Sequence, residues 1–168
     1  MILSPTCKRI PEPILFGGSG SFSRSREMPE ALPDRLEAGT LPLPSIAALG
    51  AGVLHVQSMG VEEIAHRETL AGMRAAGGLA CLRGITVYPY VGATFVFSHR
   101  SKSCEEIAAK LDEWGVCVRA GLHCAPLAHE SAGTIETGTV RVSFGIDACA
   151  AQIEAFRQIL EEMKVFHS

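Results

Sequence analysis

The stretch 139–144 alternates without a break: Val140, Val142 and Phe144 are apolar, while Arg141 and Ser143 between them are polar. A period of two sends successive side chains to opposite faces of an extended strand. The segment therefore reads as a strand with one face on a core and the other face polar. A sheet built from such strands must cover its apolar face, and amphipathic helices are the simplest cover.

Helix signals are present in the right number. Ile46, Leu49, Val53 and Val56 recur at helical spacing behind Pro44, a residue tolerated in a first turn. A second helix is expected from 61 to about 76, with Gly77-Gly78 as its stop. Ser103-Cys104-Glu105-Glu106 is a capping box that opens a helix with Ile107, Leu111 and Trp114 on one face, ended by Gly115. The last helix is expected to start near Asp147 and to present Ile153, Phe156, Leu160 and Met163 as a stripe. Short β-branched and aromatic runs predict strands over 85–88, 93–98 and 116–120, the last leading into a loop over 121–129. The expected architecture is α+β (α/β layered): a small, mostly antiparallel sheet with helices on one face.

Composition changes near residue 40. Before it lie Gly17-Gly18-Ser19-Gly20-Ser21-Phe22-Ser23 and four prolines between Pro5 and Pro29, which cannot make much regular structure. Residues 1–40 are expected to drape over a partner, and 41–168 to form the folded domain. The 168 residues suffice for one domain with a real core. A net charge of −3 gives no electrostatic case for nucleic acid or an anionic membrane. No apolar run is long enough for a bilayer span, and the first residues lack the apolar core of a secretory signal. The six cysteines are therefore expected in a reducing, cytoplasmic setting, and none forms a Cys-x-x-Cys pair.

Chemistry concentrates in one stretch, Val118-Arg119-Ala120-Gly121-Leu122-His123-Cys124-Ala125-Pro126-Leu127-Ala128-His129. Cys124 stands on a Gly/Pro-bounded loop just after a strand, beside an imidazole and five residues after an arginine. The thiolate is the reactive form of a cysteine, and positive charge nearby favours it. By local sequence alone, a small buried hydrophobe is the commoner fate of a free cysteine. Arg119 and Arg141 project from strands whose neighbouring positions are apolar, as bidentate capture of a carboxylate would require. Solvated surface arginines would show the same letters. His123, Cys124 and His129 fit no familiar ligand spacing, so no metal is expected. His55, His66, His99 and His167 read as ordinary surface or helix-face residues. Gly17-Gly18-Ser19-Gly20-Ser21 and Glu37-Ala38-Gly39-Thr40 could offer backbone amides to a phosphate, although neither is a nucleotide-binding fingerprint.

Together these motifs resemble one family. The Gly17–Ser21 loop, Leu32-Pro33-Asp34-Arg35-Leu36-Glu37-Ala38-Gly39-Thr40-Leu41, the Val118-to-His129 stretch and Gly138-Thr139-Val140-Arg141-Val142-Ser143-Phe144-Gly145 occur in this order in cysteine desulfurases of the NifS/SufS type. The likeness runs from about residue 13 into the last helix. It implies the C-terminal small domain of a fold-type I, class V aminotransferase-like enzyme that works as a homodimer on pyridoxal 5'-phosphate. In such an enzyme L-cysteine becomes L-alanine and its sulfur is left as a persulfide on a cysteine, here Cys124. By the same resemblance Arg119, Arg141 and His123 face the substrate, Gly39 and Thr40 reach the cofactor phosphate of the partner subunit, and a sulfur-acceptor protein takes the product.

Three departures qualify this expectation. The family's cofactor lysine follows a histidine upstream of the Gly-Gly loop, and Lys8, in Cys7-Lys8-Arg9, has the wrong neighbours for it. Pro42 stands where an asparagine is expected, and Ile146-Asp147-Ala148-Cys149 departs from the family's strand ending. A chain without that lysine is expected to be inactive alone and to need a separate large domain. The alternatives are a non-catalytic orphan domain, a cofactor-free persulfide carrier, or a related class V aminotransferase or selenocysteine lyase. An exposed apolar patch is expected where a large domain would pack.

Overall fold

The computed structural model describes residues 3–22 and 24–163, so His167 lies outside the described residues. The chain divides into two compact units, Met1–His55 and Val56–Ser168.

The first unit holds little regular structure before its helix. A single 3-10 turn spans Asp34–Leu36. Cross-links between distant residues hold the rest: Ser21 Oγ donates to Asp34 Oδ2 at 2.5 Å, and Arg35 pairs with Glu12 at 2.5 Å. The Gly39 amide donates to the Gly18 carbonyl at 2.8 Å, which joins the two Gly-rich loops singled out in the sequence. Helix α1 spans Leu43–Met59 and buries none of its residues. Leu43, Ile46, Leu49, Val53 and Leu54 are all exposed on it, although between Leu43 and Met59 there is no Asp, Glu, Lys or Arg. A helix of that composition has the letters of a buried one. Its apolar side chains nonetheless lie exposed.

The second unit is the α+β layer. Its strands are β1 (Ile85–Val87), β2 (Thr94–His99), β3 (Arg119–Gly121) and β4 (Thr139–Ser143), in the order β1-β2-β4-β3 with every pairing antiparallel. Phe97 pairs with Val140 and Val140 with Ala120, while Phe95 pairs with Val142, so one face carries the apolar row. Helices α2 (Val61–Ala80), α3 (Cys104–Glu113) and α5 (Ala150–Glu162) supply its cover through Leu79, Ile107, Leu111, Ile153, Phe156 and Leu160. Complete burial of each such side chain stabilises the fold by roughly 1.5–3 kcal/mol. The opposite face carries Val96, Arg141 and Arg119 in one transverse row.

Several expectations are corrected. Helix α2 does not stop at Gly77-Gly78 but runs to Ala80. Two of its three glycines are close-approach points: a Cβ on Gly78 would stand 3.0 Å from Arg157 Cδ of α5, and one on Gly72 would stand 2.2 Å from the Gly92 carbonyl. Trp114 caps α3 and is half exposed instead of joining its buried face. Strand β3 begins at Arg119, three residues later than expected. Helix α5 is capped by Cys149, whose amide donates to Gln152 Oε1 at 3.0 Å, and not by Asp147. His99 is only 9% exposed, because its place opposite Ile85 puts it on the core face. Part of the expected loop after Cys124 is a short helix, α4 (Pro126–Ala132), with Pro126 in its first turn. No helix among the described residues is long and apolar enough to cross a membrane.

Candidate functional site

The polar face of β3 and β4 ends in a tight turn. Leu122 O accepts from the Ala125 amide at 2.9 Å, and the two residues between, His123 (φ 54°) and Cys124 (φ 58°), are both left-handed. Such a backbone costs of order 1–3 kcal/mol for each non-glycine residue and persists only where surroundings enforce it. Pro126 and α4 follow at once and fix the exit of the turn.

Side chains fix its body. Thr139 shares the face of Arg141, yet it is only 1% exposed, because the turn folds back over it. Its Oγ1 lies 3.1 Å from His123 Nε2. The other ring nitrogen of His123, Nδ1, is buried without a partner. Burial, followed by the neighbouring Arg141, His129 and Arg119, holds His123 below the ordinary imidazole value, which favours the neutral ring. A neutral ring with its proton on Nε2 donates to Thr139 and leaves Nδ1 a bare acceptor. The His129 ring lies 5.6 Å from that of His123 and is itself tied to Thr134 Oγ1 at 2.8 Å, in the interior.

The turn leaves Cys124 exposed, and Arg119 Nη2 donates to its sulfur at 3.7 Å. Arg119 and Arg141 are direct cross-strand partners. Like charges so placed repel. Among the described residues no carboxylate pairs with either guanidinium. The arrangement is thus a pair of uncompensated guanidinium groups with a thiol beside one of them, suited to a ligand that brings an anion to the arginines and an electrophile to the sulfur.

Of the residues singled out in the sequence, the fold brings together Cys124, His123, Arg119 and Arg141. Gly39 and Thr40 are exposed residues of the first unit. Pyridoxal phosphate needs a lysine for its aldehyde, donors for its phosphate and a partner for its ring nitrogen. The described residues do not compose such a site. Lys8 is exposed in the N-terminal stretch, Lys110 is committed to Glu113 at 2.8 Å, and the Gly39 amide is spent on Gly18. Lys102 lies in the loop that leads to the α3 cap. No group of three or more His, Cys, Asp or Glu among the described residues is set to hold a metal. Thr139, Thr134 and the role of His129 escaped the sequence reading. Nothing local marks them, because a threonine on the polar side of an alternating strand reads as surface.

The sequence pattern of the aminotransferase class-V family matches residues 2–156. A probable cysteine desulfurase of Methanothermobacter thermautotrophicus is 28% identical over 159 residues, and one of Halalkalibacterium halodurans is 31% identical over 162. These alignments take in 90% and 92% of this chain but 40% and 39% of the relatives, so the chain spans about two fifths of their length. The apo cysteine desulfurase of Thermococcus onnurineus superposes with a TM-score of 0.78 at 27% identity, over 90% of this chain and 39% of that one. The cysteine desulfurase CsdA of Escherichia coli shares the fold, with a TM-score of 0.76 at 21% identity over 89% and 38% of the two chains. With its motifs, its sheet order and this match over most of its length in agreement, the chain belongs to the aminotransferase class-V family and is similar, within it, to part of a cysteine desulfurase.

Proposed function

We propose that this chain is the sulfur-handling portion of a pyridoxal-phosphate-dependent cysteine desulfurase, with Cys124 as nucleophile and persulfide carrier and Arg119 and Arg141 as the grip on the substrate carboxylate. The observation that carries the reading is the uncompensated pair of arginines on one sheet face with an exposed thiol against one of them. An amino acid's carboxylate relieves the repulsion between the two guanidinium groups, and a bidentate contact orients it. Its side-chain sulfur is then set beside Cys124, and the electron pair of the carbon–sulfur bond that breaks on transfer would be taken up by the cofactor of the large domain. His123 lies between the two functions. Residues 1–40 reach a partner subunit, where Thr40, and not Gly39 with its amide held by Gly18, would meet the cofactor phosphate, and 41–168 form the small domain.

The carbon chemistry needs the lysine and ring-nitrogen partner that this chain's described residues do not supply, so it falls to a large domain, in a longer chain or a separate one, within a homodimer. The chain's own step is sulfur transfer. The Cys124 thiolate attacks the outer sulfur of R–S–SH, the S–S bond breaks, R–S⁻ leaves and takes up a proton, and Cys124–S–SH remains. An acceptor protein's thiol removes that outer sulfur by the same exchange. Exposed thiols that remain unpaired fit a reducing, cytoplasmic setting.

The test is to treat the purified chain with glutathione persulfide and map the added mass of one sulfur atom by peptide mass spectrometry. The expected label is on Cys124, lost in Cys124→Ser and retained in Cys117→Ser. Label spread evenly over the exposed cysteines, or unchanged in Cys124→Ser, overturns the reading. Pyridoxal phosphate added to the chain alone is expected to give no borohydride-fixable aldimine band.

A further inference from the structure

We propose that Thr139 is a positioning residue for Cys124: through His123 it holds the left-handed turn that sets the sulfur against Arg119. The inference rests on the reading of Cys124 as the reactive thiol and deepens it by naming what presents that thiol.

The chain of contacts is short and complete. Thr139 is fixed in β4 by its pairing with Gly121, and its side chain is 1% exposed. Its hydroxyl meets His123 Nε2 at 3.1 Å. His123 is the first of two consecutive left-handed residues, and Cys124 is the second. The turn itself is closed by one backbone bond, Ala125 N to Leu122 O. One such bond does not select a left-handed pair, because common right-handed turns close with the same bond. Cysteine, moreover, lacks the freedom of the glycine or asparagine that such turns favour. What distinguishes this turn from an ordinary one is the His123 side chain, drawn down onto the sheet and bonded to a buried hydroxyl. Without that anchor the turn is free to relax, and the Cys124 sulfur leaves its 3.7 Å contact with Arg119. His129 backs the arrangement, since its ring lies against His123 and is tied in turn to Thr134.

The experiment measures iodoacetamide alkylation of Cys124 and Cys117 in the same molecule, both being exposed. The ratio of the two rates reports the local setting of Cys124 and cancels global effects. Thr139→Val keeps the shape and removes the hydroxyl, and it is expected to lower the ratio by about tenfold, the worth of one good hydrogen bond. Thr139→Ser is expected to restore it. His123→Asn, which tolerates the left-handed backbone but cannot reach Thr139, is expected to lower the ratio equally. In that background Thr139→Val is expected to have no further effect, the signature of one shared interaction. Ser103→Ala, which removes the cap of α3, controls for lost stability and is expected to leave the ratio unchanged. The proposal is overturned by an unchanged ratio in either single variant, by additive losses in the double variant, or by an equal fall in Ser103→Ala. A Cys124 that responds as expected here but takes no persulfide would sink the proposed function and spare the positioning role.

Discussion

Cys104 and Cys124 are the same residue in two settings that lie close together. Cys104 opens α3, is buried, and donates to the Thr137 carbonyl at 3.3 Å. Burial, with Glu105 beside it, pushes its thiol up. Cys124 sits exposed on a strained turn with a guanidinium at its sulfur. Gly138 stands between these settings: a Cβ there would meet Cys104 Sγ at 2.9 Å and Gly121 Cα, at the foot of the turn, at 3.1 Å. The difference teaches that a cysteine's chemistry here is decided by which side of the sheet end its backbone reaches. A buried, unbonded charge is costly, so the inner thiol stays protonated, while the outer one is open to solvent beside the Arg119 guanidinium.

The comparison can be broken or sharpened in four ways. The largest effect is in reactivity: Cys104 is expected to alkylate about a hundredfold more slowly than Cys124, because it must wait for local opening. Peptide-resolved alkylation rates measure this, and comparable rates would erase the distinction. Next, Gly138→Ala forces a side chain at φ 60° into the Cys104 sulfur and is expected to cost about 2–3 kcal/mol. Urea unfolding measures the loss, and faster Cys104 alkylation in the variant would show its packing loosened. Third, Arg119→Gln is expected to slow Cys124 alkylation roughly threefold to tenfold, with a smaller effect at high salt. Cys104 should not respond.

The smallest effect is in pH dependence, and its sign for His123 and His99 is opposite to that for Cys104. His123 and His99 are both held below the ordinary imidazole value, chiefly by burial. The unfolded chain then binds more protons in the window from their depressed values up to about 6.5, so stability is full above that window and falls as pH drops through it. Cys104, held above the ordinary thiol value, contributes stability that is full below about pH 8.5 and is lost as pH rises beyond it. Urea midpoints across pH 5 to 10 are expected to fall at both ends, and Cys104→Ala should flatten only the alkaline side.

Much of this was legible in the letters. The alternation over 139–144 predicted a half-buried strand, and its Val140 and Val142 are buried as expected. Ser103 and Glu106 form the full capping box. The motif around Cys124 pointed to the residues that the fold brings together. The failures have physical causes. Gly77-Gly78 reads as a stop because glycine usually ends helices, but the helix continues through both, and Gly78 alone lies close to Arg157. His99 reads as surface because a lone histidine carries no periodic signal, and its pairing with Ile85 places it on the core face.

By itself, then, the sequence determined most of the element types and the two faces of the strand over 139–144, because periodicity and capping are local properties of the chain, and it singled out Cys124, Arg119 and Arg141 as candidates. Only the tertiary structure decided that Arg119 and Arg141 face each other, that Thr139 lies under His123, and that Cys104 and Cys124 part ways. Those outcomes depend on strand register and on a turn folding back over a sheet, and contacts between residues far apart in the chain leave no mark in the order of their neighbours.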